Sequence, residues 1–234
     1  MSFYDNYYQR DKITRFGKFL VNNKNKFYLE LILKFAKKDK ENLKILEIGP
    51  GKGYFAQECV KQNINYTAIE GNDFMCKKLK EKGIKVYNKM VPPLNLKGTF
   101  DIIFMDQVFE HMENRDQALK LIEECKEHLN NQGLLFIAVP DIRYFKEDFF
   151  GCDYTHDFPL SLYSLKQIFV DFDFKIKYTN IRALCFKGTF PTKFIDLISE
   201  LLYKLNITKL IFKNKSYKIK NLAHASCIVI GIKK

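Results

Sequence analysis

Ile45-Leu-Glu-Ile-Gly-Pro-Gly-Lys-Gly-Tyr-Phe55 decides how this chain folds. Lys44–Ile48 (KILEI) is a short apolar run of strand type that meets glycine at once, and the residues from 53 to 62 read as a helix. Gly49, Gly51 and Gly53 therefore fall where a backbone turns tightly between strand and helix and lets a ligand come close. The N–H groups that open such a helix favour a ligand carboxylate or phosphate. The spacing is G-x-G-x-G and not the G-x-G-x-x-G of dinucleotide sites, because Tyr54 stands where the third glycine would be. Glu47, on the strand two residues before the first glycine, would sit badly beside a pyrophosphate but well against an ammonium group. The loop thus points away from NAD.

Outward from this block the chain alternates. Strand-type runs at 65–70 (NYTAIE), 84–87 (IKVY), 100–105 (FDIIFM) and 133–139 (GLLFIAV) are separated by helical stretches at 72–82 and 114–130. Apolar strands alternating with helices predict a parallel sheet covered on both faces. After Pro140 comes an irregular aromatic stretch, then a helix at 162–171 and a strand at 173–181. Thr192–Leu205 repeats apolar residues at helical spacing, and Ala225–Ile232 (ASCIVIGI) reads as a last strand. Reached without a crossover helix, that strand is expected to lie antiparallel.

The chain has 234 residues, 47% of them hydrophobic, enough to build a real core. Cys59, Cys76, Cys125, Cys152, Cys185 and Cys227 are scattered singly, without a C-x-x-C, which disfavours disulfides and a zinc cluster. No metal-ligand set is visible. The N-terminus lacks the apolar stretch of a secretory signal, so the expected location is the cytoplasm. The formal charge is +12, but residues 1–40 hold ten Lys/Arg against four Asp/Glu and residues 187–234 ten against two. The middle is slightly acidic, and the positive charge lies at the ends; heavy lysine usage from an AT-rich coding sequence is the competing explanation. The expected organisation is a basic helical segment over 1–40 and one domain over 41–234, with a helical insert at about 187–221.

Glu70 ends the second strand twenty-one residues after Gly49. A carboxylate there can accept both hydroxyls of a ribose. With Glu47 and the glycines it fits one ligand carrying an amino acid at one end and a nucleoside at the other. ILEIGPGKG, Glu70 and FDIIFMDQVFEHM together resemble a class I S-adenosylmethionine-dependent methyltransferase, over roughly residues 40–140. The resemblance implies a Rossmann-like α/β fold with a seven-stranded sheet of order 3-2-1-4-5-7-6, its last strand antiparallel. It implies that Gly49, Gly51 and Gly53 line the methionine portion of S-adenosyl-L-methionine, Glu47 holds its amino group, Glu70 binds the ribose, and Asp106 and Gln107 lie near the sulfur. Asn88 stands where many relatives place an Asp against the adenine amino group.

Methyl transfer asks mainly for alignment, since a sulfonium is already a good leaving group; for a hydroxyl acceptor the further requirement is removal of its proton. Among the histidines, His128 and His224 read as structural. His111, in Phe-Glu-His after the fourth strand, and His156, in the aromatic DYTH loop, are the candidates for acceptor chemistry. DYTH…PLSLYSL also resembles a subgroup found with surface-glycan and lipid-linked saccharide biosynthesis, which implies O-methylation of a saccharide or lipid-linked glycan precursor. The lysines of the 187–221 insert flank an apolar stripe, which suits an interfacial helix on an anionic membrane, or a helix packed on its own domain. No nucleic-acid-binding module is visible. The alternatives are a methyltransferase for RNA or for a small aromatic or quinone acceptor, and a non-catalytic partner subunit that binds S-adenosylmethionine.

Overall fold

Residues 14–183 and 225–234 are described by the computed structural model of the chain. The helix expected over Thr192–Leu205, the rest of the 187–221 insert and His224 lie outside the described residues. The strands are β1 (Lys44–Ile48), β2 (Asn65–Glu70), β3 (Val86–Asn88), β4 (Phe100–Asp106), β5 (Leu129–Pro140), β6 (Phe174–Ala183) and β7 (Ala225–Lys233). They form one sheet in the order β3-β2-β1-β4-β5-β7-β6. β1 to β5 pair in parallel, while β7 runs antiparallel to both β5 and β6. The expected order and the antiparallel last strand are both found.

The apolar runs work because each strand feeds two cores. Ile45, Ile102, Phe104, Leu134, Phe136, Ile228 and Ile230 point to one face of the sheet. Their neighbours Leu46, Ile103, Met105, Leu135, Ile137, Cys227 and Val229 point to the other. Side chains alternate across a strand, so burial on both sides demands continuous hydrophobicity rather than alternation. Helices α1 (Arg15–Phe35), α2 (Tyr54–Lys61) and α3 (Asp73–Glu81) cover the first face. Helices α4 (Arg115–His128) and α7 (Leu162–Asp171) cover the second.

Two expectations about boundaries change. Residues 14–40 do not stand apart: Tyr28, Leu29 and Ile32 of α1 are buried, and the Tyr28 ring lies 5.0 Å from Phe136 and 5.9 Å from Phe104. A boundary at residue 40 would cut through one packed core. The stretch after Pro140 is less irregular than its sequence suggests, for it contains α5 (Ile142–Phe145) and α6 (Asp148–Cys152). Elements of four and five residues are too short to show a helical period. Here Asp141, fully buried, ties the start of α5 to the start of α7 by accepting the N–H groups of Arg143 (3.0 Å) and Leu162 (2.9 Å). Among the described residues no helix is long and apolar enough to cross a membrane.

Phe104 is the keystone of the first core, stacked on Phe55 at 4.0 Å and tilted against Phe136 at 4.8 Å. Phe104→Ala should cost about 3–5 kcal/mol in denaturant unfolding, by lost burial and the cavity left behind; a cost under about 1 kcal/mol would contradict this packing.

Candidate active site

The carboxyl edge of a parallel sheet is where its loops and helix N-termini open a crevice. Glu47, the glycine loop, Glu70, Asp106 and Gln107 meet there, at the ends of β1, β2 and β4. Gly49, Gly51 and Gly53 all have positive φ (69°, 51° and 72°). A Cβ on Gly49 would come within 2.4 Å of Val108, and one on Gly53 within 2.5 Å of Leu79. The loop is therefore a bare backbone cradle that no other residue type can form without displacing its neighbours.

Glu70 holds this cradle against β2. Its carboxylate accepts the N–H groups of Gly51 (3.0 Å) and Asn72 (2.9 Å), and Asn72 in turn caps α3 through Met75 N–H. Burial raises the Glu70 pKa, and those backbone donors oppose the rise. Two oxygens with about four acceptor positions still leave room for ribose hydroxyls. Asn88 stands beside Glu70 in the β2–β3 register, but its side-chain amide donates to Asp73 at 2.5 Å. That amide is already engaged at the exposed rim.

Glu47 is buried, and the Tyr66 hydroxyl donates to it. Burial pushes its pKa up to about 8, helped by the charges of Asp106 and Glu70 and resisted by Tyr66 and Lys24. Asp106 forms an ion pair with Lys24 of α1 at 2.5 Å, while its other oxygen is buried without a hydrogen-bond partner. Lys24 is a site residue that sequence reasoning missed. Nothing distinguishes it from the other lysines of that helix until α1 is packed on the sheet. Gln107 has φ +59°, a left-handed conformation that costs a non-glycine residue about 1–3 kcal/mol. Its side chain donates to Ser226 of β7 at 3.2 Å.

His111 and His156 come together although forty-five positions separate them. Their rings lie 4.8 Å apart, beside Glu110. The DYTH loop is tied down by Phe158 N–H donating to the Glu110 carbonyl beyond β4 (3.0 Å) and by a bridge from Leu160 to Asp141 beyond β5. His111 Nδ1 meets Thr155 Oγ1 at 2.8 Å, and the Thr155 hydroxyl donates to Asp153 at 2.7 Å. With that hydroxyl proton committed, His111 Nδ1 must be the donor, so its lone pair is on Nε2. His156 Nδ1 donates to the Phe149 carbonyl at 2.8 Å, again leaving the lone pair on Nε2. Burial, then the neighbouring His156, lowers the His111 pKa. His128 is structural, its two nitrogens against the carbonyls of Glu124 (2.9 Å) and Leu96 (3.1 Å).

Residues 20–179, more than half of the chain, match the family model described as a methyltransferase domain. The chain belongs to the methyltransferase-domain family. Among solved structures it is similar to a SAM-dependent methyltransferase from Archaeoglobus fulgidus, at 17% identity and TM-score 0.65, over 99% of this chain and 100% of that one. It is also similar to the plantazolicin methyltransferase BpumL in complex with SAH, at 16% identity and TM-score 0.60, over 98% of this chain and 88% of that one. No curated protein matches the sequence significantly. The protein is an S-adenosylmethionine-dependent methyltransferase, and the cradle fits that cofactor. A glycine loop without room for side chains, a buried carboxyl at Glu47 in want of a cation and a half-paired Asp106 are what a ligand with an amino acid end and a positive sulfur requires.

In the free protein at pH 7 Glu47 is held protonated by its raised pKa. A cationic amino group placed against it favours the carboxylate, so cofactor binding should release a proton, and affinity should rise with pH until about 8. Calorimetry in buffers of different ionisation enthalpy should find the release in the wild type and not in Glu47→Gln. An equal release in the variant would remove Glu47 from this role.

Proposed function

We propose that this methyltransferase O-methylates a hydroxyl of a saccharide or lipid-linked glycan precursor. The observation that carries the reading is the surface of the segment joining β5 to α7. Phe150, Tyr154 and Tyr163 are 55%, 75% and 71% exposed there. Arg143 lies 5.9 Å from the Tyr144 ring and 5.8 Å from the Tyr163 ring, and Lys166 5.9 Å from Tyr163. Flat aromatic faces edged by cations suit the apolar face of a sugar ring and a phosphate on its carrier. The same segment carries His156, whose ring lies 4.8 Å from that of His111 just beyond β4.

S-adenosylmethionine, when bound, supplies a methyl group on a sulfonium. The chain's own residues bind and orient. The glycine loop would take the methionine portion, Glu47 its amino group and Glu70 the ribose, with Asp106 and Gln107 near the sulfur and Asn88 at the adenine side. Alignment of the two reacting atoms is the main source of rate in such a transfer. The lysines and apolar stripe of the 187–221 sequence fit a carrier embedded in an anionic membrane, where they would hold the enzyme at the inner surface.

Labelled methyl transfer from the cofactor to sugar nucleotides and polyprenyl-linked saccharides should yield a methyl ether. Tyr154→Ala and Tyr163→Ala should each raise the acceptor KM at least about 5-fold, a loss of the order of one aromatic contact, with cofactor affinity unchanged. Transfer to RNA or to small aromatic acceptors alone would overturn the saccharide reading.

A further inference from the structure

Glu110, His111 and His156 form a cluster that methyl transfer by alignment leaves unexplained. A carboxylate oxygen of Glu110 and one ring nitrogen of each histidine lie within 4.8 Å of one another. Glu110 is completely buried, and neither of its carboxylate oxygens has a hydrogen-bond partner from another residue. His111 and His156 spend their Nδ1 protons on Thr155 and on the Phe149 carbonyl, so each keeps a lone pair on Nε2. Three groups that can each offer a lone pair thus share one buried place, with Asp106 and Asp153 acting on Glu110 against Lys24. A buried polar group without a partner costs of the order of 1–3 kcal/mol, and more if charged. Such a cost persists where something outside the chain supplies the positive charge.

We infer that Glu110, His111 and His156 bind a divalent first-row transition ion beside the methyl-transfer site. The arrangement around the three residues is that of a ligand set. A metal-binding histidine typically donates its other ring N–H to a carbonyl or carboxylate, which fixes the tautomer and the ring. His156 does this through Phe149, and His111 does it through Thr155, which Asp153 orients with bonds at 3.0 Å to its N–H and 2.7 Å to its hydroxyl. Two imidazoles and one carboxylate favour zinc, cobalt, iron or manganese over magnesium or calcium. Three protein ligands leave positions open for water or substrate, the mark of a site that does chemistry rather than one that staples a fold.

The inference rests on the methyltransferase reading for its purpose. An acceptor hydroxyl on the ion would have a lowered pKa and be held at the end of β4. Its proton passes to water, an oxygen lone pair forms the new O–C bond, and the pair of the breaking C–S bond stays on sulfur. The products are a methyl ether and neutral S-adenosylhomocysteine. His111 and His156 then act as ligands, and neither has to serve as the general base.

The full-length protein, stripped with EDTA, should take up one Co2+ or Zn2+ per chain. The Co2+ form should show visible d–d absorption without the near-ultraviolet charge-transfer band of a thiolate ligand, and Mg2+ should bind at least about 100-fold more weakly. Glu110→Gln and His156→Ala should each weaken binding by about 100-fold or more, with S-adenosylhomocysteine affinity retained as the control for folding. Wild-type protein that binds S-adenosylhomocysteine but takes up no metal would overturn the inference and leave the methyltransferase reading standing. Unchanged metal affinity in both variants, or a thiolate band, would overturn it as well. Loss of S-adenosylhomocysteine binding by every form, with metal uptake intact, would instead strike the proposed function.

Discussion

The carboxyl edge of the sheet buries more acidic side chains than the chain pairs with cations there. Glu47, Glu70 and Glu110 are all buried at or just beyond the ends of β1, β2 and β4, each with a raised pKa, and burial is the first cause each time. Lys24 is the cation that acts on both Glu47 and Glu110. Removing carboxylates from water is expensive, and an apolar residue in their place would be cheaper for the fold. The rest of the architecture serves to hold these acids where they are. The two cores keep the strand ends rigid, and α1 is packed into one of them, which is what brings Lys24 to Asp106. The glycine loop closes over Glu70 with backbone alone.

Two halves of the edge divide the work. On the β1–β2 side, Glu47, the glycines and Glu70 make a site for a ligand with an amino acid end and a ribose. On the β4–β5 side, Glu110 and His111 meet His156 of the aromatic segment that runs from Asp141 to Tyr163. Asp106 lies between them, one oxygen on Lys24 and the other without a partner. In the proposed reaction the methyl group crosses from the first half to the second. Gln107, with its left-handed backbone, follows Asp106 directly.

Much of this architecture is legible in the sequence. The continuous apolar runs gave both core faces, because parallel strands buried on two sides cannot alternate. ILEIGPGKG and Glu70 marked the cofactor side, since their constraints are local: a positive φ at glycine, a carboxylate at a strand end. The other half resisted reading for a physical reason. Glu110 and His156 lie forty-six residues apart, and they meet through a backbone bond from Phe158 and a bridge from Asp141 to Leu160, neither of which leaves a pattern in side-chain types. Each histidine reads as an isolated candidate base, and no sequence pattern singles out Glu110. Lys24 was one lysine among many on a basic helix. The start of β5 at Leu129 was equally hidden, because its pairing with Phe100 precedes an irregularity in the ladder.

The account holds that this acidic edge is built to receive two cations, the amino group of the cofactor at Glu47 and a metal ion at Glu110. Anomalous diffraction from crystals of the protein grown with S-adenosylhomocysteine and Zn2+ would test both at once. The predicted result is one metal peak bounded by Glu110, His111 and His156, with the cofactor amino group against Glu47. A cofactor seated in the glycine cradle with its amino group turned from Glu47, and no metal among those three side chains, would contradict it.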